Sequence, residues 1–215
     1  MKVLIEGEEG GRPFRVLERT EDGSRLYYED GILYTHVDAS GSNLLGYVSA
    51  MEAALGKPAS LLLLGTAGGA LATLFSRRGA RVTAIDNWQT AFDLARHWFH
   101  LPRSVACVTA DAIAFLRSTS EQWDAIAVDV YRSTEIPEAM LTNDMGSLLA
   151  KALKPGGVIV WNVADSPRSQ PAQCISRALR LSGLILSMVS VIDADIGNTL
   201  VVGREPNDRQ PAPTT

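Results

Sequence analysis

Three aspartates and one glycine turn carry most of the chemistry open to this sequence. Asp129, in Val128-Asp129-Val130-Tyr131, closes a β-prone run. In an open α/β sheet such a strand end faces the ligand crevice. A carboxylate there can take a proton from an amine or hydroxyl nucleophile, or hold a substrate ammonium. Tyr131 offers either a hydroxyl that orients the same group or a ring that closes the pocket. Asp86 stands 21 residues after Gly65, a separation that suits an acid accepting from both hydroxyls of a ribose; a helix N-cap is the alternative. Asn87 follows it directly, and Trp88 suits either an adenine face or the core. Asp111 and Ala112 open a helix. The Asp can accept from an adenine amino group while the next amide donates to the ring, and it can equally act as a plain N-cap. In Gly65-Thr66-Ala67-Gly68-Gly69, glycine lets the chain turn sharply and lets a ligand approach without meeting a Cβ. The helix that follows aims its amide end at the same spot. Gly65, Thr66, Ala67 and Gly69 are the candidate contacts in this turn.

Other chemistries find little support. His97 and His100 are one helical turn apart and could share a face, but no Cys, Asp or Glu cluster completes a metal site with them or with His36. There is no Gly-x-Ser-x-Gly elbow and no Gly-Lys-Ser/Thr loop. Asp124 begins its strand at the far end of the sheet, away from any crevice. Cys107 and Cys174 lie in apolar segments and read as buried free thiols. The net charge is −4 with no long Lys/Arg run, which disfavours nucleic acid as a partner. No apolar run approaches the ~20 residues that span a bilayer, and the acidic opening MKVLIEGEEGG is not a signal peptide. A cytoplasmic protein without a membrane partner is the expectation.

The elements that must position these residues follow from the hydrophobic pattern. At 215 residues, 46% hydrophobic and 20% charged, the chain has the size and composition of one globular unit. Residues 13–38 suggest a small β-unit, with Arg25–Tyr28 and Ile32–Thr35 joined at Glu29-Asp30-Gly31. A linker at 39–43 precedes a helix over 44–55. Strands and helices then alternate. Strands are expected at Leu61–Leu64, Arg81–Asp86, Val105–Thr109, Ala125–Val128 and Val158–Val163, with helices at 70–78, 88–99, 111–117, 141–153 and 170–181. Lys154-Pro155-Gly156-Gly157 reads as a turn. The runs 184–192 and 199–202 are joined by too few residues for a crossover, so they form an antiparallel hairpin. The expected architecture is α/β: a doubly wound, seven-stranded, mostly parallel sheet ending in an antiparallel hairpin and preceded by a small N-terminal β-unit. The divisions are residues 1–43 for the β-unit and linker, 44–203 for a nucleoside-binding α/β domain, and 204–215 for a flexible tail. An exposed hairpin edge in the β-unit is a candidate homodimer contact.

In order and spacing, Gly65 to Gly69, Asp86, Asp111-Ala112, Asp129 and Lys154–Gly157 resemble class I S-adenosylmethionine-dependent methyltransferases. Over residues 25–203 the sequence is most similar to the spermidine synthase-like proteins within that superfamily. Asp30-Gly31, the helix before the first parallel strand, Ile136-Pro137 and Leu141-Thr142 carry that similarity. The resemblance implies adenosine contacts at Gly65, Asp86, Asp111 and Ala112, and a functional acid at Asp129. Several positions depart from it. Gly68 replaces an acid in the turn, Arg132 replaces a second Asp after Asp129, and Tyr34 replaces a Gln. A Tyr-His pair is not evident near Leu44–Tyr47, and Ala67 stands where methyltransferases have Gly. A dication such as putrescine needs carboxylates at both ends, since an unpaired buried ammonium is costly. The first expectation is therefore a methyltransferase that uses S-adenosylmethionine on a small-molecule acceptor. The alternatives are an aminopropyltransferase that uses decarboxylated S-adenosylmethionine, and a catalytically silent nucleoside-binding protein.

Overall fold

The computed structural model describes residues 1–193 and 196–206. Four N-terminal strands, β1 (Lys2–Glu9), β2 (Arg12–Glu18), β3 (Arg25–Glu29) and β4 (Ile32–Val37), form an antiparallel meander in sequence order. Helix α1 (Gly46–Leu55) leads into the second sheet. That sheet contains β5 (Ser60–Leu64), β6 (Arg81–Asp86), β7 (Ala106–Thr109), β8 (Trp123–Val128), β9 (Leu153–Val163), β10 (Ile185–Asp193) and β11 (Ile196–Arg204). Its spatial order is β10-β11-β9-β8-β5-β6-β7. β5 to β9 run parallel, and β11 and β10 add antiparallel strands at one edge. The crossovers are α2 (Ala70–Arg77), α3 (Gln89–Trp98), α4 (Ala112–Ser118), α5 (Asn143–Ala152) and α6 (Gln170–Leu181).

The leucine run predicts this architecture well because every residue of β5 is buried. Successive side chains point to opposite faces. Leu62 and Leu64 therefore join Ile126, Val128 and Trp161 in one core, while Leu61 and Leu63 join Ala125, Ala127 and Val160 in the other. Chain order reverses between β5 and β8, which opens a crevice at the carboxyl ends of these strands.

The small sheet is larger than the sequence pattern suggested. β1 and most of β2 were not expected, because β1 is exposed along nearly its whole length and shows no apolar alternation. β1 forms one edge of this sheet and leaves Val3 and Ile5 exposed. The sheet docks by Val16, Tyr27 and Val37 onto Ala70, Trp88, Leu94 and Phe99. Trp88 thus belongs to the core, with its ring edge-on to Phe14 at 5.4 Å.

Other boundaries also moved. Lys154–Gly157 lies within β9, where the register with β8 shifts between Trp123 and Ala125, so the expected turn is an irregularity in the ladder. α5 begins later than expected, at Asn143, with Thr142 Oγ1 capping the amide of Met145. β11 starts at Ile196, which places Asn198 in a strand and not in a linker. Of the expected tail, Arg204 ends β11, and residues 207–215 lie outside the described residues. Cys107 and Cys174 are half-buried free thiols; Cys107 is shallow enough for Arg96 to reach its sulfur at 3.3 Å. Among the described residues, no helix is long and apolar enough to cross a membrane.

Candidate active site

A cavity of about 230 Å³ opens at the carboxyl ends of β5, β6 and β8. Gly65, Thr66, Ala67, Asp86, Asn87, Asp111, Ala112, Asp129 and Tyr131 all line it. Gly69 does not; it caps α2 with a positive φ of 73°, and a Cβ on it would come within 3.0 Å of Leu101.

The glycine turn is built around its protein neighbours. Gly65 has φ 82°, and a Cβ there would sit 2.2 Å from the carbonyl oxygen of Asp129. The turn and the end of β8 therefore meet backbone to backbone. A Cβ on Gly68 would lie 2.8 Å from the Thr35 side chain, whose hydroxyl accepts from the Gly68 amide at 2.9 Å. The place of the missing acid is thus filled by β4. Ala67 adopts φ 47°, a left-handed conformation costly for a residue with a Cβ.

Asp86 accepts from the amide of Thr66 at 2.9 Å and from that of Trp88 at 3.1 Å. Burial nevertheless raises its pKa, and these amides only oppose the rise. Asp111 accepts from Ala114 N at 2.9 Å. It is the N-cap of α4 and lines the cavity as well. Asn87 accepts from Arg12 at 3.3 Å. Together these groups form a polar cradle suited to a nucleoside, with a carboxylate and backbone amides at each end.

Asp129 is the carboxylate at the β8 end. Asn162, at the end of β9, donates to its Oδ1 at 2.9 Å, and the Tyr47 hydroxyl of α1 makes a long contact to Oδ2 at 3.4 Å. Asn198 of β11 donates to Asn162 Oδ1 at 2.9 Å, which orients the amide so that its NH₂ faces the carboxylate. Desolvation raises the Asp129 pKa above its ordinary value, and the two donors pull against it. Burial and the Asp129 charge also hold the Tyr47 hydroxyl well above its normal range, keeping it neutral.

Of the two readings of Tyr131, the hydroxyl is taken up elsewhere. Its hydroxyl donates to Asn162 O at 3.1 Å and accepts from Ala164 N at 2.6 Å. The hydroxyl is committed to backbone, and what Tyr131 offers the cavity is its ring. Sequence reading passed over Tyr47, Asn162 and Asn198. Asn162 had a usable signal, since it is the lone polar residue in Val158-Ile159-Val160-Trp161-Asn162-Val163.

The small sheet forms the remaining wall through Arg12, Glu29 and Tyr34. Tyr34 donates to the carbonyl of Ser133 at 2.8 Å and pins the loop that carries Arg132. His97 and His100 are exposed but do not share a helical face, because α3 ends at Trp98 and His100 follows it with φ 60°; no group of metal-ligating side chains occurs among the described residues.

No protein-family model matches the chain. A stretch of 121 residues is 31% identical to a probable polyamine aminopropyl transferase of Bifidobacterium longum. It covers 55% of this chain and 26% of that relative, about a quarter of the relative's length. The structure superposes on a probable spermidine synthase from Corynebacterium glutamicum with a TM-score of 0.81 and 18% identity, covering 95% of this chain and 81% of that one. The fold is that of spermidine synthases. A spermidine synthase in complex with the transition-state analogue AdoDATO gives a TM-score of 0.77 at 14% identity, covering 96% and 75%. The spermidine synthase of Thermotoga maritima gives 0.73 at 15%, covering 96% and 74%. The superposition covers 95% of this chain and so takes in the N-terminal meander, which the sequence pattern only half revealed.

Proposed function

We propose that this chain transfers an aminopropyl group from decarboxylated S-adenosylmethionine to an amine. The sequence match to a probable polyamine aminopropyl transferase and the spermidine synthase fold favour this over methyl transfer, the first expectation from sequence. The observation that carries it is the Asp129 carboxylate, recessed at the β8 end of the cavity, oriented on both oxygens and raised in pKa. Asp86 holds the ribose, and Asp111 with the Ala112 amide holds the adenine. The acceptor nitrogen attacks the propyl carbon bonded to sulfur. The N–C bond forms, and the C–S bond breaks with its electron pair left on sulfur, giving methylthioadenosine. The proton shed by nitrogen goes to Asp129, for which a raised pKa is an advantage. The rest of the rate comes from alignment of nitrogen and carbon.

One observation favours the methyl-transfer reading: Thr35 occupies the space beside Gly68, so the turn has no acid for the donor's ammonium. Incubation with each donor and a panel of amines decides between the two. Methylthioadenosine release from the decarboxylated donor, lost in Asp129→Asn, is the expected result. S-adenosylhomocysteine release from S-adenosylmethionine would replace the proposal with methyl transfer. Donor binding without either product would leave a silent nucleoside-binding protein.

A further inference from the structure

The charges around the cavity divide by position. Asp86 and Asp111 stand in the nucleoside cradle. Glu29 accepts from the Tyr27 hydroxyl at 2.9 Å and lies 3.8 Å from Arg12. Asp129 and Arg132 both follow β8 and line the cavity, which Glu29 and Arg12 of the small sheet also line. No ion pair or side-chain hydrogen bond engages the Arg132 guanidinium among the described residues, although Glu135 and Glu138 are close in sequence. The loop beneath it is built. Arg132 N donates to Glu135 O at 2.8 Å, Glu135 N donates back at 3.1 Å, and Tyr34 holds Ser133.

An acceptor with an ammonium at each end would meet one carboxylate and one guanidinium here. Its second cation would face the guanidinium and be repelled. An amine with an anionic far end meets opposite charge at both ends. The planar guanidinium fork matches a carboxylate, which it can bind through two parallel N–H donors.

We propose that the acceptor is an amine that also carries a carboxylate, with its nitrogen facing Asp129 and its carboxylate paired by Arg132. This rests on the aminopropyl-transfer reading above and narrows its acceptor. The bond changes are the same: N–C forms, C–S breaks with its pair on sulfur, and the amine proton goes to Asp129.

The test compares 4-aminobutyrate with putrescine, which share a four-carbon chain and differ in the far group. Methylthioadenosine release from decarboxylated S-adenosylmethionine is measured for the wild-type protein, Arg132→Lys and Arg132→Glu. Binding of each amine to protein saturated with methylthioadenosine is measured by calorimetry, so that the answer does not depend on turnover. Arg132 is exposed, and unchanged melting temperatures will confirm that the variants fold. The wild-type protein should bind and use 4-aminobutyrate in preference to putrescine. Arg132→Glu should weaken 4-aminobutyrate by about ten- to a hundredfold and invert the preference. Arg132→Lys should fall between, because Lys keeps the charge without the fork. Tighter binding of putrescine by the wild-type protein, or a 4-aminobutyrate affinity indifferent to Arg132→Glu, overturns the inference. If putrescine is then turned over, aminopropyl transfer stands. Absence of donor binding would overturn both.

Discussion

Asp129 is under opposing demands. Its surroundings favour the neutral acid, while its proposed role needs the carboxylate. The log of kcat/KM should therefore fall with decreasing pH through a pKa above the ~3.9 of an ordinary Asp. The same shift has a stability consequence. A pKa raised by folding contributes stability that is fully present below the unfolded value and is lost as pH rises through the folded value. Above that range the aspartate is thus a net cost to the fold. Asp129→Asn should abolish turnover by about 10²- to 10⁴-fold while raising the melting temperature at pH 7. The gain should shrink as pH falls through the raised pKa and Asp129 takes up its proton; thermal melts across pH check this, and an equal or lower melting temperature at pH 7 would refute it. Gly65 carries a second prediction at this scale. Gly65→Ala forces a Cβ into the Asp129 carbonyl at φ 82°. Left-handed strain and overpacking together should cost about 2–5 kcal/mol in a denaturant titration. The residue was readable as a turn glycine. Its reason, a backbone approach from another strand, depends on which strand lies next to β5, and that is not written locally.

Among elements, the parallel strands were legible because each is a short apolar run between turn residues, and their order follows from the reversal of winding after β7. Tyr47, Asn162 and Asn198 escaped because each acts through another element. Asn162 matters only because β9 lies beside β8, and Asn198 only because β11 lies beside β9. The relay Asn198–Asn162–Asp129 crosses three adjacent strands. Asn198→Ala leaves Asn162 Oδ1 without its donor, so the amide is free to flip and present oxygen to the carboxylate. Asp129 then loses its main counterweight to burial. The acid limb of the kcat/KM profile should move to higher pH, while the alkaline plateau is largely retained. A uniform loss at all pH values would mean that Asn198 only supports the strand.

Across the whole molecule, the cavity lies between two sheets, and each supplies charge to it. Burial raises the pKa of Asp86 and Asp129 from the large sheet and of Glu29 from the small one. Sequence reading placed its candidate contacts on the large sheet and reached the small one only through Tyr34. Arg12 and Glu29 were hidden because nothing local tells which side chains of the small sheet reach the cavity, and Thr35 meets Gly68 only in the tertiary fold. A shared acidic cavity should distinguish ligands by charge. A sulfonium favours the ionised carboxylates, so its binding lowers their pKa and releases protons where they are part-protonated. Affinity for decarboxylated S-adenosylmethionine should therefore climb with pH through the raised carboxylate range and level off above it. Methylthioadenosine has the same nucleoside and no sulfonium, so its affinity should vary far less. Its stabilisation, which follows the ratio of ligand to Kd, should be nearly flat with pH. Calorimetry in buffers of different ionisation enthalpy counts the released protons directly. Equal proton release by both ligands would show that the carboxylates respond to the nucleoside alone, and that the cavity does not read the donor's charge.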